Sequence, residues 1–200
     1  MGEERAFLTK EEIEQIKMVN ETASQAASAA LSKMISKDVK SSSLSLSLKP
    51  IDEVKKIETN YLLALSEVTG DLSGNMLASH PLDNGLKLVD LMMMQAPGTC
   101  TQIDETAISA YKEFVNIIGG AYLSNIANFL GFRVFPQVPK FIGSMGEVQR
   151  NLLTELEQDI GKLLLIKSEM VVETEKISGY FFVILDESSL KKIITTIRGG

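Results

Sequence analysis

The stretch "LSGNMLASHPLDNGLKLVDLM", residues 72–92, has a second version at residues 177–197, "ISGYFFVILDESSLKKIITTI". Both run aliphatic–Ser–Gly, then a buried strand, then a polar cap, then a helix of the same phase. Just upstream of the first, "NYLLALSEVTGDLSGNMLAS" (60–79) reads as two strands joined by a Gly-containing turn. Pro81 suits the start of the shorter amphipathic helix that follows. Upstream of the second, "KLLLIKSEMVVET" and "KISGYFFVIL" are two strong strands, and "ESSLKKIITTIR" is a closing helix.

Further outward the order also recurs. A helix is predicted from about Lys10 to Ser36, opened by Thr9 and Glu12 in capping-box spacing, with Ile13, Ile16, Val19, Ala23, Ala26 and Ala30 at helical intervals. "DVKSSSLSLSLKP" then alternates, placing Leu44, Leu46 and Leu48 on one face and serines on the other, which predicts a half-buried strand. After the loop "QAPGTCTQID", a second long helix spans about Glu105 to Gly131, ended by the glycine. An extended segment, "FRVFPQVPKFIG", and a short amphipathic helix, "MGEVQRNLLTEL" (145–156), come next. The reading is one domain, 1–200, with an internal repeat over 10–95 and 104–198. Neither half has enough strands for an independent covered sheet, so both share one. The fold expected is α/β of the α+β kind, a pseudo-twofold duplicated domain with two long helices on a shared, mostly antiparallel β-sheet.

Bulk properties narrow the function. Of the 200 residues 44% are hydrophobic and 23% charged, an ordinary globular balance. The net charge of −6 argues against nucleic-acid binding, which favours a basic stripe. Cys100 and His80 are each the only residue of their kind. That excludes a disulfide framework, a Cys/His zinc site and a Ser/His/Asp triad within the chain. The polar start "MGEERAFLTKEEIEQ" has no signal-peptide apolar core, and no run reaches membrane-spanning length. A cytoplasmic protein without membrane insertion is expected.

Within the second long helix, "SAYKEFVNIIGG" (109–120) places Ser109, Glu113 and Asn116 within about 60° of one another, on one face. Gly119 and Gly120 each cost about 1 kcal/mol relative to Ala inside a helix, which points to a close approach, here by a partner's backbone. Laid on the first long helix with a one-residue slip, Lys17 stands where Glu113 stands, Asn20 where Asn116 stands, and Ser43 at the place of Pro139. An ungapped register instead puts Glu21 at the asparagine. Other features read as structural: "LMMMQ" (91–95) as core and adaptable surface, His80 as a turn residue, and Cys100 as a thiol with no activating cation.

The pattern Ser/Asp-x3-Glu-x2-Asn, followed after twenty-two residues by a proline, here Ser109, Glu113, Asn116 and Pro139, resembles the signature of the CheC/CheX/FliY family of chemotaxis phosphatases. "GDLSGNMLASHPLDNGLKLVDLMM" and "LLLIKSEMVVETEKISGYFFVILDESSL" look like the family's strand-and-helix blocks. The resemblance implies hydrolysis of the aspartyl-phosphate on a CheY-like response regulator. It implies that Asn116 positions the attacking water and Glu113 docks against a lysine of the regulator, with Ser109 and Pro139 shaping the surface. It implies no cofactor of the chain's own, Mg²⁺ being held by the regulator. CheC-type members often carry two such sites; here the first, at Lys17 and Asn20, is degenerate. The alternative implied is a non-enzymatic adaptor for the phosphorylated regulator or for the receptor deamidase CheD. A flagellar-switch role fits less well, because FliY-like proteins add a C-terminal module and this sequence ends at "TTIRGG".

Overall fold

The computed structural model describes residues 9–47, 60–143 and 164–199. In chain order they form α1 (Lys10–Ile35), β1 (Lys40–Ser47), β2 (Tyr61–Gly70), β3 (Gly74–Pro81) and α2 (Leu82–Met92), then α3 (Glu105–Leu130), β4 (Val134–Pro136), β5 (Lys140–Gly143), β6 (Leu164–Val172), β7 (Ile177–Leu185) and α4 (Glu187–Gly199). The fold is α+β, as expected. The expected helix at 145–156 lies outside the described residues.

The seven strands make one sheet in the order β1-β6-β7-β3-β2-β4, with β5 also on β2, and every pairing is antiparallel. α1 and α3 lie together against one face. There Ala23, Ala27 and Leu31 of α1 and Tyr111, Phe114, Ile118 and Tyr122 of α3 share a core with Met76, Ala78, Phe181 and Val183 of the sheet. Burying aromatic side chains of this size contributes roughly 2–3 kcal/mol each. The opposite face carries a smaller cluster of Leu63, Leu77, Phe182 and Ile184. One period-2 pattern explains both, since alternate residues of β7 supply the two clusters.

The two long helices match more closely than their sequences do. Each has 26 residues, with a side-chain N-cap at Thr9 or Asp104 and a left-handed C-cap at Ser36 or Gly131. Those pairs lie 95 residues apart, and at that spacing every buried position of α1 has a buried counterpart in α3, from Glu12 and Ala107 to Ile35 and Leu130. The strands obey the same relation. Leu77 pairs across the sheet centre with Phe182, its own counterpart in the 72–92/177–197 repeat. On β6, β1 slips by one residue between Ser43 and Ser45. On β2, the other edge slips by one between Pro136 and Lys140, since those four steps are matched by three from Val68 to Leu65. Leu44, at the first slip, and Pro139, within the break at 137–139, are again 95 apart, and β5 carries a further irregularity on β2 between Phe141 and Gly143.

One expectation fails in this layer. His80 is not a turn residue: it lies in β3 opposite Leu62, is 4% exposed, and packs under α3. Gly179 makes that possible, because a Cβ there would lie 2.1 Å from the imidazole.

Candidate functional site

The outward face of α3 carries Ser109, Glu113 and Asn116, all exposed, as the helical spacing requires. The intervening Tyr111, Phe114, Val115 and Ile118 are buried. Neither Glu113 nor Asn116 has a hydrogen-bond or ion-pair partner among the described residues. A free carboxylate and a free amide therefore stand one helical turn apart, with all their acceptor and donor capacity turned to solvent.

What holds that face is buried beneath it. Tyr111, between Ser109 and Glu113, donates its hydroxyl to the Leu62 carbonyl at 3.1 Å and lies 2.9 Å from His80 Nδ1. With the phenol proton committed to Leu62, the imidazole donates from Nδ1, which satisfies both groups. Burial lowers the His80 pKa to about 3, so the ring is neutral, and burial pushes the Tyr111 phenol well up. Phe141 of β5 meets Tyr111 edge-on at 6.1 Å between ring centres. That contact brings the segment after Pro139 alongside the site-bearing half of α3. Pro139 itself is buried in the break between β4 and β5. The structure thus puts the three helical residues on one surface and the proline in the support behind it.

The start of α3 is fixed by a residue that the sequence reading passed over. Asp90, at the end of α2, is fully buried and accepts from the backbone N–H groups of Gly98, Thr99 and Cys100 at 2.7, 3.0 and 2.8 Å. It ties down the loop that leads into α3. An aspartate in the last turn of an amphipathic helix carries no sequence signal for this role, because its partners are main-chain atoms. The methionines beside it run from core to solvent: Met92 packs on the core and Met94 is 91% exposed.

The glycine pair divides. A Cβ on Gly119 would meet Met76 Cε at 2.6 Å, so this glycine serves the protein's own core and not a partner. Gly120 has nothing within 4 Å of that position and leaves backbone open beside Asn116.

The first helix corrects the slipped register. Asn20 is 1% exposed and accepts the Tyr122 hydroxyl at 2.5 Å; Ser24, one turn on, bonds Ser168 at 2.8 Å. Asn20 is a polar tie between α1 and α3, and its counterpart is the buried Val115. Lys17 is exposed but ion-pairs with Glu14 at 2.9 Å. The ungapped register holds, so Lys17 and Asn20 are not the equivalents of Glu113 and Asn116. The residues in those places are Met18 and Glu21, with Glu14 for Ser109.

The arrangement suits positioning and docking. His80 is walled in beneath α3 and cannot serve as a base on the outer face. Cys100 Sγ is turned to the Gln102 carbonyl. Among the described residues, no three His, Cys, Asp or Glu side chains gather as a metal site. No helix among them is long and apolar enough to cross a membrane.

Residues 107–142, which span Ser109, Glu113, Asn116 and Pro139, match the model of the CheC-like family. The fold is similar to that of FliY from Thermotoga maritima, at 19% identity and a TM-score of 0.72, covering 96% of this chain and 98% of that one. It is also similar to the FliM middle domain from H. pylori, at 7% identity and a TM-score of 0.68, over 94% of this chain and 99% of that one. CheX in the CheX–CheY–BeF3–Mg²⁺ complex from Borrelia burgdorferi matches at 14% identity and a TM-score of 0.54, covering 81% of this chain and 94% of the other. The resemblance to the CheC/CheX/FliY family drawn from the motif thus has support at two levels, the site segment and the fold.

Proposed function

We propose that this protein hydrolyses the aspartyl-phosphate of a CheY-like response regulator, with Asn116 and Glu113 as the working pair. The observation that carries the proposal is the presentation of both side chains, exposed and unpartnered, on a rigidly backed helix face within the CheC-like match. Acyl-phosphate hydrolysis needs in-line placement of water and stabilisation of charge on the phosphoryl oxygens, with little covalent help from the protein. The Asn116 amide accepts from and donates to that water, holding its oxygen in line with phosphorus. The new O–P bond forms as the bond to the aspartyl oxygen breaks. The products are the regulator's free carboxylate and inorganic phosphate, which keeps the water's protons. Glu113 docks against a cation of the regulator, and Gly120 lets that partner's backbone come close. Ser109 borders the contact, and Pro139 supports it through β5. The Mg²⁺ belongs to the regulator, consistent with its naming beside CheY in the Borrelia burgdorferi complex.

The test is phosphate release from a phosphorylated CheY-like regulator, with and without the protein. Asn116→Ala is expected to abolish the acceleration, a loss on the order of 10²-fold, while the two proteins still associate. Glu113→Ala is expected to weaken association more than the rate in the complex. Unchanged release in Asn116→Ala would sink the proposal.

The likeness to FliM middle domains over nearly the whole chain favours a second reading, a docking protein of the same fold. Association with the regulator, or with CheD, without accelerated release would select it.

A further inference from the structure

We propose that Val138 is an apolar anchor for the response regulator, and that the neighbouring Pro139 works by aiming it. The proposal rests on the phosphatase reading above and adds a contact to the same docking surface. It starts from the break in the edge strand. Gln137 is matched to Glu67, whose carbonyl its N–H meets at 2.8 Å, and Lys140 is matched to Leu65. Val138 and Pro139 therefore stand together opposite the one residue between, Ser66, as the pair of a β-bulge. A bulge re-aims side chains, and here the two part: Pro139 is buried and Val138 is 76% exposed.

The bulge lies beside the site. On its other side Ser66 pairs with Met76, whose Cε lies 2.6 Å from where a Cβ on Gly119 would be. One row across the sheet thus leads from Val138 to the turn of α3 that carries Gly119 and Gly120. That turn is about 9 Å along the helix from Glu113, at 1.5 Å per residue. The outward stripe goes under at the same level. Ser109, Glu113, Asn116 and Gly120 continue at helical spacing to Leu123 and Ala127, which are buried in one core with Val134 of β4. Val138 is the exposed apolar residue at that border.

A single exposed valine is ordinary; the way this one is mounted is not. The Ser66 hydroxyl donates to the Gln137 carbonyl at 2.6 Å, and the Gln137 amide donates to Thr69 Oγ1 at 3.0 Å. The proline that follows restricts Val138 to extended backbone, and branching at Cβ stiffens its side chain. A side chain already fixed loses little entropy on contact, so Val138 is preorganised for an apolar spot on the partner. On the regulator, that spot is displaced about 9 Å along α3 from the cation that Glu113 meets.

The experiment is phosphate release by the full chain at varied concentrations of a phosphorylated CheY-like regulator. Val138→Glu and Val138→Lys are each expected to raise KM at least about tenfold with kcat within about twofold, while Val138→Ile keeps both near wild type. The thermal midpoints of all three are expected to stay near wild type, because the position is exposed. Pro139→Ala is expected to raise KM in the wild-type chain and to add nothing further on Val138→Glu, which a merely structural proline would not do. Phe135→Glu, exposed on the same edge but on the sheet face away from α3, is expected to leave KM unchanged. Opposite effects of glutamate and lysine at 138 would reveal charge steering and overturn the proposal. So would an unchanged KM in both, beside an active wild type. A wild type that does not accelerate release overturns the phosphatase reading and this proposal with it.

Discussion

At the scale of single residues, the site separates into side chains that meet solvent and side chains that hold them in place. Gly119 and Gly120 illustrate the difference. Gly119→Ala presses a methyl onto the flexible end of the buried Met76, a strain of about 1–3 kcal/mol that about 1 kcal/mol of helix propensity partly offsets. Gly120→Ala, by contrast, gains up to about 1 kcal/mol with no opposing contact. Denaturant titration of the two variants checks both signs. On the reading proposed above, Gly120→Ala also weakens association with the regulator. His80 makes the stability of the fold depend on pH. Its folded pKa, about 3, lies below the ordinary 6.5, so between those values the unfolded chain holds a proton that the folded chain lacks. Stability is full above pH 6.5 and falls as the pH drops toward 3, by up to about 1.4 kcal/mol per pH unit. His80→Gln is expected to be less stable at pH 7 but to lose most of the slope between pH 6.5 and 5. An equal slope in the variant would show that another group carries it. The carboxyls of Glu12, held low by Arg198, and Asp186, held low by the Ser189 and Ser188 bonds against the opposing pull of burial, lose their contributions only below the ordinary carboxylate range.

At the scale of elements, two short contacts position whole helices. Asp90→Asn would keep its oxygen on the Gly98 and Thr99 N–H groups and turn its amide toward the Cys100 N–H, setting donor against donor. A loss of about 2–4 kcal/mol is expected, together with faster amide exchange at 98–100. α4 is held at its far end by Arg198 Nε on the buried Glu12 carboxylate, 2.5 Å away, and Glu12 also completes the α1 capping box. Arg198→Ala is expected to lower the thermal midpoint at pH 7, and the difference from wild type should close as acid protonates Glu12. The element boundaries were legible in sequence because caps, glycines and periodicity are local signals. Thr9 and Gly131 mark helix ends in both, whereas the Asp104 cap came only with the structure. The outward stripe of α3 was legible for the same reason. Asn20 was misplaced because a one-residue slip in a helix rotates a side chain by 100°, from the solvent face to the core, and composition alone does not resolve that step. The His80–Tyr111 pair and the Asp90 latch were illegible because both depend on contacts between distant segments.

At the scale of the whole molecule, the repeat at 72–92 and 177–197 became a relation between positions that meet across the sheet, Leu77 against Phe182. The edges of that sheet carry a further consequence. β1, from the first part of the chain, pairs with β6 of the second, and β4 and β5, from the second, pair with β2 of the first. Each part lends its outermost strand to the other, so neither can close its own sheet, and the pairings that complete the fold join distant segments. A chain severed between Thr101 and Gln102 leaves the Asp90 bonds and the Asp104 cap intact. Residues 1–101 and 102–200, prepared separately, are expected to lack cooperative unfolding transitions and to regain one when mixed. A fragment that folds alone would contradict this. Cut there, the molecule is expected to behave as a split protein, whose two pieces reconstitute only through the strands they exchange.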